Sequence, residues 1–415
     1  MYEIERWINA RSFVPEDELN NIYSEFISFS QSPKFIPSYS SKVMEHQIVF
    51  DEYIDIPEEV REKYRQIGRF TPLHRALGLE KALNTNCQIY LKREDLLPSG
   101  SFKLNAMLPQ AYFAKNDGRK TVLLATSAGQ TGASGAFAAA LFGLKCKVFI
   151  ANHAYVSRPG RCNMMRMYGA EVVSSPTMET EIGRNISEAY GMEFKSTEAV
   201  ALSEVAEIIS KDHECVIFPG SFSDFTLSYN TIVGQETIKQ FEELGVLPNK
   251  VVGCVGGGSS FGGIVLPFMK KYDEKIEYFG VESENVPKMT KGVYKFDYPG
   301  VSSNQYPRCK MYSLGYNYIP PNIHATGLRY HGVSPIISYL LSKKKFTPFA
   351  VPQQEALDAA KLLASSEGII TAPESSYSIA KIIREAKVNN GDVLLTAITG
   401  NGYLDLNAYE NICNA

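Results

Sequence analysis

VVGCVGGGSSFGGIVLPFM, from Val251 to Met269, is an apolar run that breaks into glycine and resumes as a second apolar run. Its first part reads as a buried strand and its last part as a helix. Between them, Gly256, Gly257 and Gly258 let backbone N–H groups converge without Cβ clash, and the helix start adds positive partial charge. Strand, glycine loop and helix in this order make a phosphate cradle. A tight strand–helix turn is the simpler reading, but three glycines followed by Ser259 and Ser260 exceed what a turn needs. The Gly-x-Gly-x-x-Gly fingerprint of dinucleotide folds is not met, because Phe261 stands where its third glycine belongs. Glu282 does follow a later strand as a ribose-binding acid would, so a nicotinamide enzyme stays a formal alternative. The Gly-Lys-Ser/Thr signature of a triphosphate-binding loop is absent.

Similar runs recur on both sides of this stretch. CQIYLKRED, TVLLATS, KCKVFIA, CVIFPG, KIEYFGVES and DVLLTAITGNG read as buried strands. GASGAFAAALFGL, RCNMMRMYG, TIVGQETIKQFEEL and PQQEALDAAKLLASSEG read as the helices between them. Strands alternating with helices predict an α/β fold with mostly parallel sheets. Residues 1 to about 60 are polar and aromatic without strong alternation, and read as an extension packed on the body. No internal repeat or low-complexity linker divides the chain, so its units are expected to share a broad interface.

At 415 residues the chain exceeds one small core, and roughly two or three domain-sized units are expected. A net charge of −3 gives no reason to expect nucleic acid or an anionic membrane as partner. No apolar run approaches the ~20 residues that span a bilayer, and the acidic N-terminal MYEIERWINA lacks a secretory core. The seven cysteines are scattered, with no Cys-x-x-Cys pair. This favours reduced thiols in a cytoplasmic compartment over a disulfide framework, and the cysteines and histidines lack metal-ligand spacing.

Lys103 stands in LPSGSFKLN (Leu97–Asn105), between Phe102 and Leu104 and after a small-residue turn. Apolar neighbours favour burial, which lowers an amine's pKa, and a partly neutral amine forms Schiff bases. A phosphate cradle plus such a lysine points to pyridoxal 5′-phosphate. The residues alone leave a structural lysine as the alternative.

With these motifs in view, the chain resembles the tryptophan synthase β-subunit family of fold-type II pyridoxal-phosphate enzymes, and most of all its stand-alone second branch. The carriers run in one order from Gly68 to Asp405: YLKREDLLPSGSFKLNA, AGQTG, ALFGLKCKVFI, YGAEVVSSP, CVGGGSSFGG, KMYSLGYNYIPPNIHATGLRYHG, EGIITAPESS and ITGNGYLDL. The resemblance implies that Lys103 is the Schiff-base lysine and that Gly256, Gly257, Gly258, Ser259 and Ser260 hold the phosphate, Ser260 replacing the family's usual asparagine. It puts Thr399 against the pyridine nitrogen, Glu374 near the ring and Gln130 beside the 3′-oxygen. Thr126, Ser127, Ala128 and Gly129 match the loop that binds the substrate α-carboxylate. Arg329, in a segment the family keeps near the substrate entrance, is a candidate for a substrate carboxylate or phosphate; a surface arginine on an aromatic-packed loop is the competing reading. The fold implied has two domains, each with a mostly parallel sheet. Residues 61–105 and 226–415 are expected to bind cofactor, and 106–225 to form a smaller mobile substrate domain. A cytoplasmic homodimer is implied.

The chain also departs from that family. Tryptophan synthases carry a glutamate before the carboxylate loop, where this chain has Ala125, and a methyl group cannot transfer protons. Phe102 replaces a histidine and is expected to lie against the cofactor ring, and Thr131 replaces a tryptophan-like residue. SFK, AGQTGAS and TGNG are similar to threonine synthases and serine/threonine dehydratases. The implied reaction is β-replacement or β-elimination on a serine-type L-amino acid, through an aminoacrylate, with a nucleophile other than indole. An O-activated substrate would need little acid. True tryptophan synthase activity, a threonine-synthase- or dehydratase-like lyase, and a catalytically silent scaffold are the alternatives.

Overall fold

The computed structural model describes residues 3–26, 39–191, 194–300, 307–388 and 391–410. Fourteen strands are present among them: β1 Arg6–Ile8, β2 Tyr53–Asp55, β3 Leu73–Arg75, β4 Gln88–Arg93, β5 Thr121–Thr126, β6 Lys145–Ala151, β7 Glu171–Ser175, β8 Cys215–Ile217, β9 Lys250–Cys254, β10 Glu277–Ser283, β11 Val293–Asp297, β12 Cys309–Ser313, β13 Thr347–Val351 and β14 Val393–Ile398. Six of them form a sheet in the order β13-β10-β9-β14-β4-β3, parallel except for the edge strand β3. A second, wholly parallel sheet runs β7-β6-β5-β8. β1–β2 and β11–β12 are separate antiparallel pairs. All residues of β9 and β14 are buried, which is why these strands read as continuous apolar runs. This is the expected α/β architecture.

Small residues let helices close on the second sheet. In the Gln130–Phe142 helix, a Cβ at Gly135 would lie 2.5 Å from Leu124, and one at Gly132 would lie 2.5 Å from Met165 and 2.8 Å from Val148. The polar, aromatic N-terminal residues are anchored by Trp7, which is fully buried 4.5 Å from the Tyr229 ring. The Ile8 and Ala10 N–H groups donate to Thr231 and Ser228 side chains, and Arg11 pairs with buried Asp224 at 2.9 Å. Among the described residues, no helix is long and apolar enough to cross a membrane.

Beneath the Leu97–Asn105 stretch lies a buried charge network. Arg69 binds Glu236 at 2.6 Å and Glu94 at 3.0 Å. Lys92, also fully buried, reaches Glu236 at 3.0 Å and the Thr71 carbonyl at 2.7 Å. Asn105 donates to Glu94 at 2.7 Å and accepts from Arg69. Burial pushes the Glu94 carboxyl up, but the Arg69 charge and its hydrogen bonds overcome that and hold it low. Two cations and two carboxylates balance, so no charge is left uncompensated in the interior.

Glu282 is not available to a ribose. It lies fully buried in β10, where its carboxylate accepts from the Met289 N–H at 2.7 Å and the Thr290 N–H at 2.9 Å. The nicotinamide alternative therefore loses its acid to a local turn.

Arg69→Met leaves Glu94 and Glu236 short of one cation. It is expected to lower unfolding free energy by about 3–5 kcal/mol. Lys42→Ala, which breaks an exposed pair with Glu45, is expected to change it by less than about 0.5 kcal/mol. Chemical denaturation of both variants checks the contrast.

Candidate active site

The strands of each parallel sheet end at a common cleft, as α/β sheets place their ligand sites. The chain leaving β4 turns at Gly100, whose φ of +66° suits glycine, and a Cβ there would lie 2.1 Å from Asn401. Ser101 then pairs with Gly400 as an antiparallel bridge. The Phe102 N–H donates to the Thr399 carbonyl at 3.0 Å, and the Asn401 N–H to the Gly100 carbonyl at 3.0 Å. Lys103 and Thr399 are thus held by one strap of backbone hydrogen bonds.

Lys103 immediately precedes the Leu104–Asn116 helix. Its Nζ donates to the Gly220 carbonyl at 3.1 Å and lies 5.2 Å from the Phe102 ring centroid. Removal from water lowers the amine's pKa, and the charges of Glu198 and Glu374 offset part of that. Such an amine is neutral over a wider pH range than an ordinary lysine and condenses more readily with an aldehyde.

The Thr399 hydroxyl shares a hydrogen bond with the Ser375 hydroxyl at 2.8 Å, and the Thr399 N–H donates to the same oxygen at 2.9 Å. One residue before Ser375, Glu374 accepts from the Gly327 N–H at 2.8 Å and from the Gln130 amide at 3.5 Å. Gln130 starts the Gln130–Phe142 helix, and a Cβ at Gly400 would be 3.5 Å from its amide nitrogen. Lys103, Phe102, Thr399, Glu374 and Gln130 therefore meet in one place.

The glycine loop closes the same cleft. Gly258, at φ +114°, caps the Ser259–Tyr272 helix. A Cβ at Gly256 would lie 2.3 Å from the Gly327 carbonyl, one at Gly257 2.7 Å from the Ser221 hydroxyl, and one at Gly258 2.9 Å from the Ser334 hydroxyl. Three segments thus press on three glycines, and larger residues would fill the cradle. The Ser334 hydroxyl is buried with no partner of its own. Ser259 is buried, whereas the Ser260 hydroxyl is turned back to the Cys254 carbonyl at 3.1 Å.

At the end of β5, the Thr126 hydroxyl accepts from the Gly129 N–H at 3.0 Å, folding Thr126–Gly129 into a loop with Ser127 and Ala128 inside it. Ala125, just before, is buried in a cluster with Phe149, Ala201 and Val205. Arg329 lies two residues past Gly327, and its guanidinium donates to the Pro320 carbonyl at 3.0 Å. Its Nε is buried without a partner.

Sequence reading missed Gly220, Ser221, Gly327, Ser334 and Glu198. No local pattern marks the first four. Glu198 carries a signal, an acid in the first turn of a helix, but the same signal marks ordinary helix starts.

A phosphate-bearing aldehyde needs a cradle free of side chains, an unpaired donor beside it and a desolvated amine. The glycine loop, Ser334 and Lys103 meet these needs, so the residues fit pyridoxal 5′-phosphate.

Comparisons with known proteins agree. A family model described as pyridoxal-phosphate dependent enzyme matches residues 64–400. The tryptophan synthase beta chain 2 of Thermococcus kodakarensis is 39% identical over 98% of this chain and 93% of its own. The tryptophan synthase beta chain of Pyrobaculum arsenaticum is 43% identical over 89% of this chain and 90% of its own. Among solved structures, a fungal L-serine ammonia-lyase from Rhizomucor miehei superposes with a TM-score of 0.62 at 17% identity, over 83% of this chain and 97% of that one. Serine racemase from Dictyostelium discoideum gives 0.59 at 18%, with the same coverage. At these identities the two structures share the fold.

Protein stripped of cofactor tests the amine. On adding pyridoxal 5′-phosphate, the rate at which the visible band forms is expected to rise with pH and to level off below the ordinary lysine value, because the neutral amine is the nucleophile. Stopped-flow absorbance across pH measures it, and Lys103→Ala is expected to give no such band.

Proposed function

The chain belongs to the pyridoxal-phosphate dependent enzymes, in the group that includes the tryptophan synthase β chains, and on that premise we propose that it performs β-replacement or β-elimination on a serine-type L-amino acid, with a nucleophile other than indole. The reading rests on one observation above all: the desolvated amine of Lys103 shares a backbone strap with the neutral hydroxyl of Thr399.

When bound, the cofactor supplies an electron sink that acidifies the substrate's Cα–H. In this reading Lys103 holds the cofactor aldehyde and then takes the Cα proton. Thr399 would face the pyridine nitrogen; a neutral hydroxyl cannot keep that nitrogen protonated as a carboxylate would, which favours chemistry at Cβ. Gly256, Gly257, Gly258, Ser259 and Ser260 would hold the phosphate. Phe102 would pack on the ring, with Glu374 and Gln130 at its edges. Thr126, Ser127, Ala128 and Gly129 take the α-carboxylate, and Arg329 serves a carboxylate or phosphate at the cleft mouth. Residues 61–105 and 226–415 form the cofactor-binding unit, and 106–225 the smaller unit that moves over the substrate. The enzyme works as a cytoplasmic homodimer.

Ala125 supports a nucleophile other than indole, because no proton transfer can take place at the point where the glutamate of tryptophan synthases performs it. An O-acetyl or O-phospho leaving group is the O-activated form of the same reading. Tryptophan formation from serine and indole is the second reading, favoured by the full-length relatives named tryptophan synthase beta chains. A threonine-synthase- or dehydratase-like lyase is a third, favoured by SFK around Lys103.

A scan of serine, threonine and the O-acetyl and O-phospho esters of serine by absorbance, with and without indole, tests this. Spectral change with a serine-type substrate is expected, with little tryptophan, and Lys103→Ala is expected to abolish turnover. Rapid tryptophan formation would overturn the choice of nucleophile, and a protein spectrally silent to all of them would overturn the reaction class.

A further inference from the structure

The carboxylate missing at position 125 has a counterpart on another element. Glu198 opens the Glu198–Lys211 helix, and Ala201, one turn further along, shares a buried cluster with Ala125. The helix therefore starts over the C-terminal end of β5, where the Thr126–Gly129 loop begins. Two small side chains, Ala125 and Ala201, allow this approach. Asn152, just past β6, fixes the segment leading in: its Nδ2 donates to the Phe194 carbonyl at 2.7 Å, and its Oδ1 accepts from the Ser196 N–H at 3.0 Å.

The Glu198 carboxylate is turned to the cleft. The Ser127 backbone N–H faces it, and its charge acts on Lys103 and on the Tyr330 hydroxyl. A first-turn acid commonly serves its own helix's N–H groups; this one faces an N–H of the opposite loop. It is open to water in the cleft, while the enclosing walls push its carboxyl up against the offsetting influence of Lys103 and the Ser127 N–H. A carboxyl so placed holds a proton nearer neutral pH than a surface glutamate does.

We propose that Glu198 is the acid–base residue of this site, giving a proton to the departing β-oxygen and taking one from the incoming nucleophile. The proposal rests on the β-replacement or β-elimination reading. Lys103 takes the Cα proton, and the electron pair left at Cα moves toward Cβ. The Cβ–O bond breaks with its pair on oxygen, and that oxygen takes the Glu198 proton and leaves as water. As the nucleophile's bond to Cβ forms, its proton goes to the Glu198 carboxylate, which restores the acid, and the electron pair returns to Cα, which takes back the proton held by Lys103. An unactivated serine hydroxyl then becomes a competent leaving group although position 125 carries no acid.

The test uses the cofactor-loaded full chain with Glu198→Gln and Glu198→Asp. With serine, Glu198→Gln is expected to lose about 100-fold or more in kcat at little change in KM. With O-acetyl-L-serine and no added nucleophile, so that no proton passes to the leaving group or from a nucleophile, pyruvate release is expected to stay within about threefold. Glu198→Asp is expected to recover part of the serine rate. An independent readout is the pH titration of the visible band of cofactor bound to Lys103. Removing a negative charge disfavours the protonated nitrogen, so the midpoint is expected to fall in Glu198→Gln. Equal losses with both substrates, or an unmoved midpoint, would overturn the proposal. A variant that fails to fold is recognised by loss of the band, and Glu198→Asp then carries the comparison. If the underlying reaction is wrong, wild type turns over neither substrate, and the midpoint still decides whether Glu198 acts on Lys103.

Discussion

Arg69 is the constraint on which the rest of the site depends. It is enclosed beneath the cleft, with Glu94 on one side and Glu236 on the other. Glu94 follows directly on β4, and Asn105, which joins the same network, lies in the Leu104–Asn116 helix. Both ends of the stretch that contains Lys103 are therefore tied to one buried ion cluster. An interior charge without a partner is strongly unfavourable, so the network has few alternative arrangements, and the intervening turn inherits that rigidity. An amine that must meet an aldehyde in a defined orientation gains from such fixing, because little ordering remains for the moment of reaction.

The opposite wall is set by backbone contacts. The strap between Gly100–Phe102 and Thr399–Asn401 joins the exits of β4 and β14, neighbours in the larger sheet. The glycine loop leaves β9, the next strand over. Three consecutive strand ends of one parallel sheet thus deliver the amine, the hydroxyl and the cradle, each through a turn in which a side chain would collide. The smaller sheet delivers the Thr126–Gly129 loop from β5 and the Gly220 carbonyl from beyond β8. The hydrogen bond from Lys103 to Gly220 crosses between the two sets, so the amine that would take the cofactor also ties together the segments that frame it.

Much of this was legible in the chain. The buried parallel strands announce themselves as apolar runs, and β4, β5, β6, β8, β9, β10 and β14 all coincide with such runs. The short strands β1, β2 and β3 and the half-exposed β11, β12 and β13 do not, since burial on one face or at an edge leaves no continuous apolar signal. Lys103 and Gly256–Gly258 stand out because their chemistry is local: a charge among apolar neighbours, a run of residues without Cβ. Ser334 and Gly220 stand out nowhere, because what distinguishes them is the segment they touch. Glu282 shows the converse failure. Its position after a strand suggested a ribose ligand, but its carboxylate is consumed by the N–H groups of Met289 and Thr290 seven and eight residues on.

The two carboxylates near Lys103 differ in how they are engaged, and that difference assigns them different work. Glu374 is buried at the start of the Pro373–Val388 helix, with one oxygen on the Gly327 N–H and the other on the Gln130 amide. Gly327 in turn presses on Gly256, so Glu374 ties together the segment around Gly327, the glycine cradle and the helix that begins with Gln130. A carboxylate with donors on both oxygens is held in one place. Glu198 faces a single backbone N–H and open water. It sits over the C-terminal end of β5, where Ala125 and Ala201 have only methyl side chains and share one buried cluster. The first acid has the surroundings of a brace, and the second those of a group free to change protonation. The absence of an acid at one position in a strand therefore says little about whether a cleft has an acid, because parallel strands and their crossover helices deliver side chains to the same end of the sheet from distant parts of the sequence.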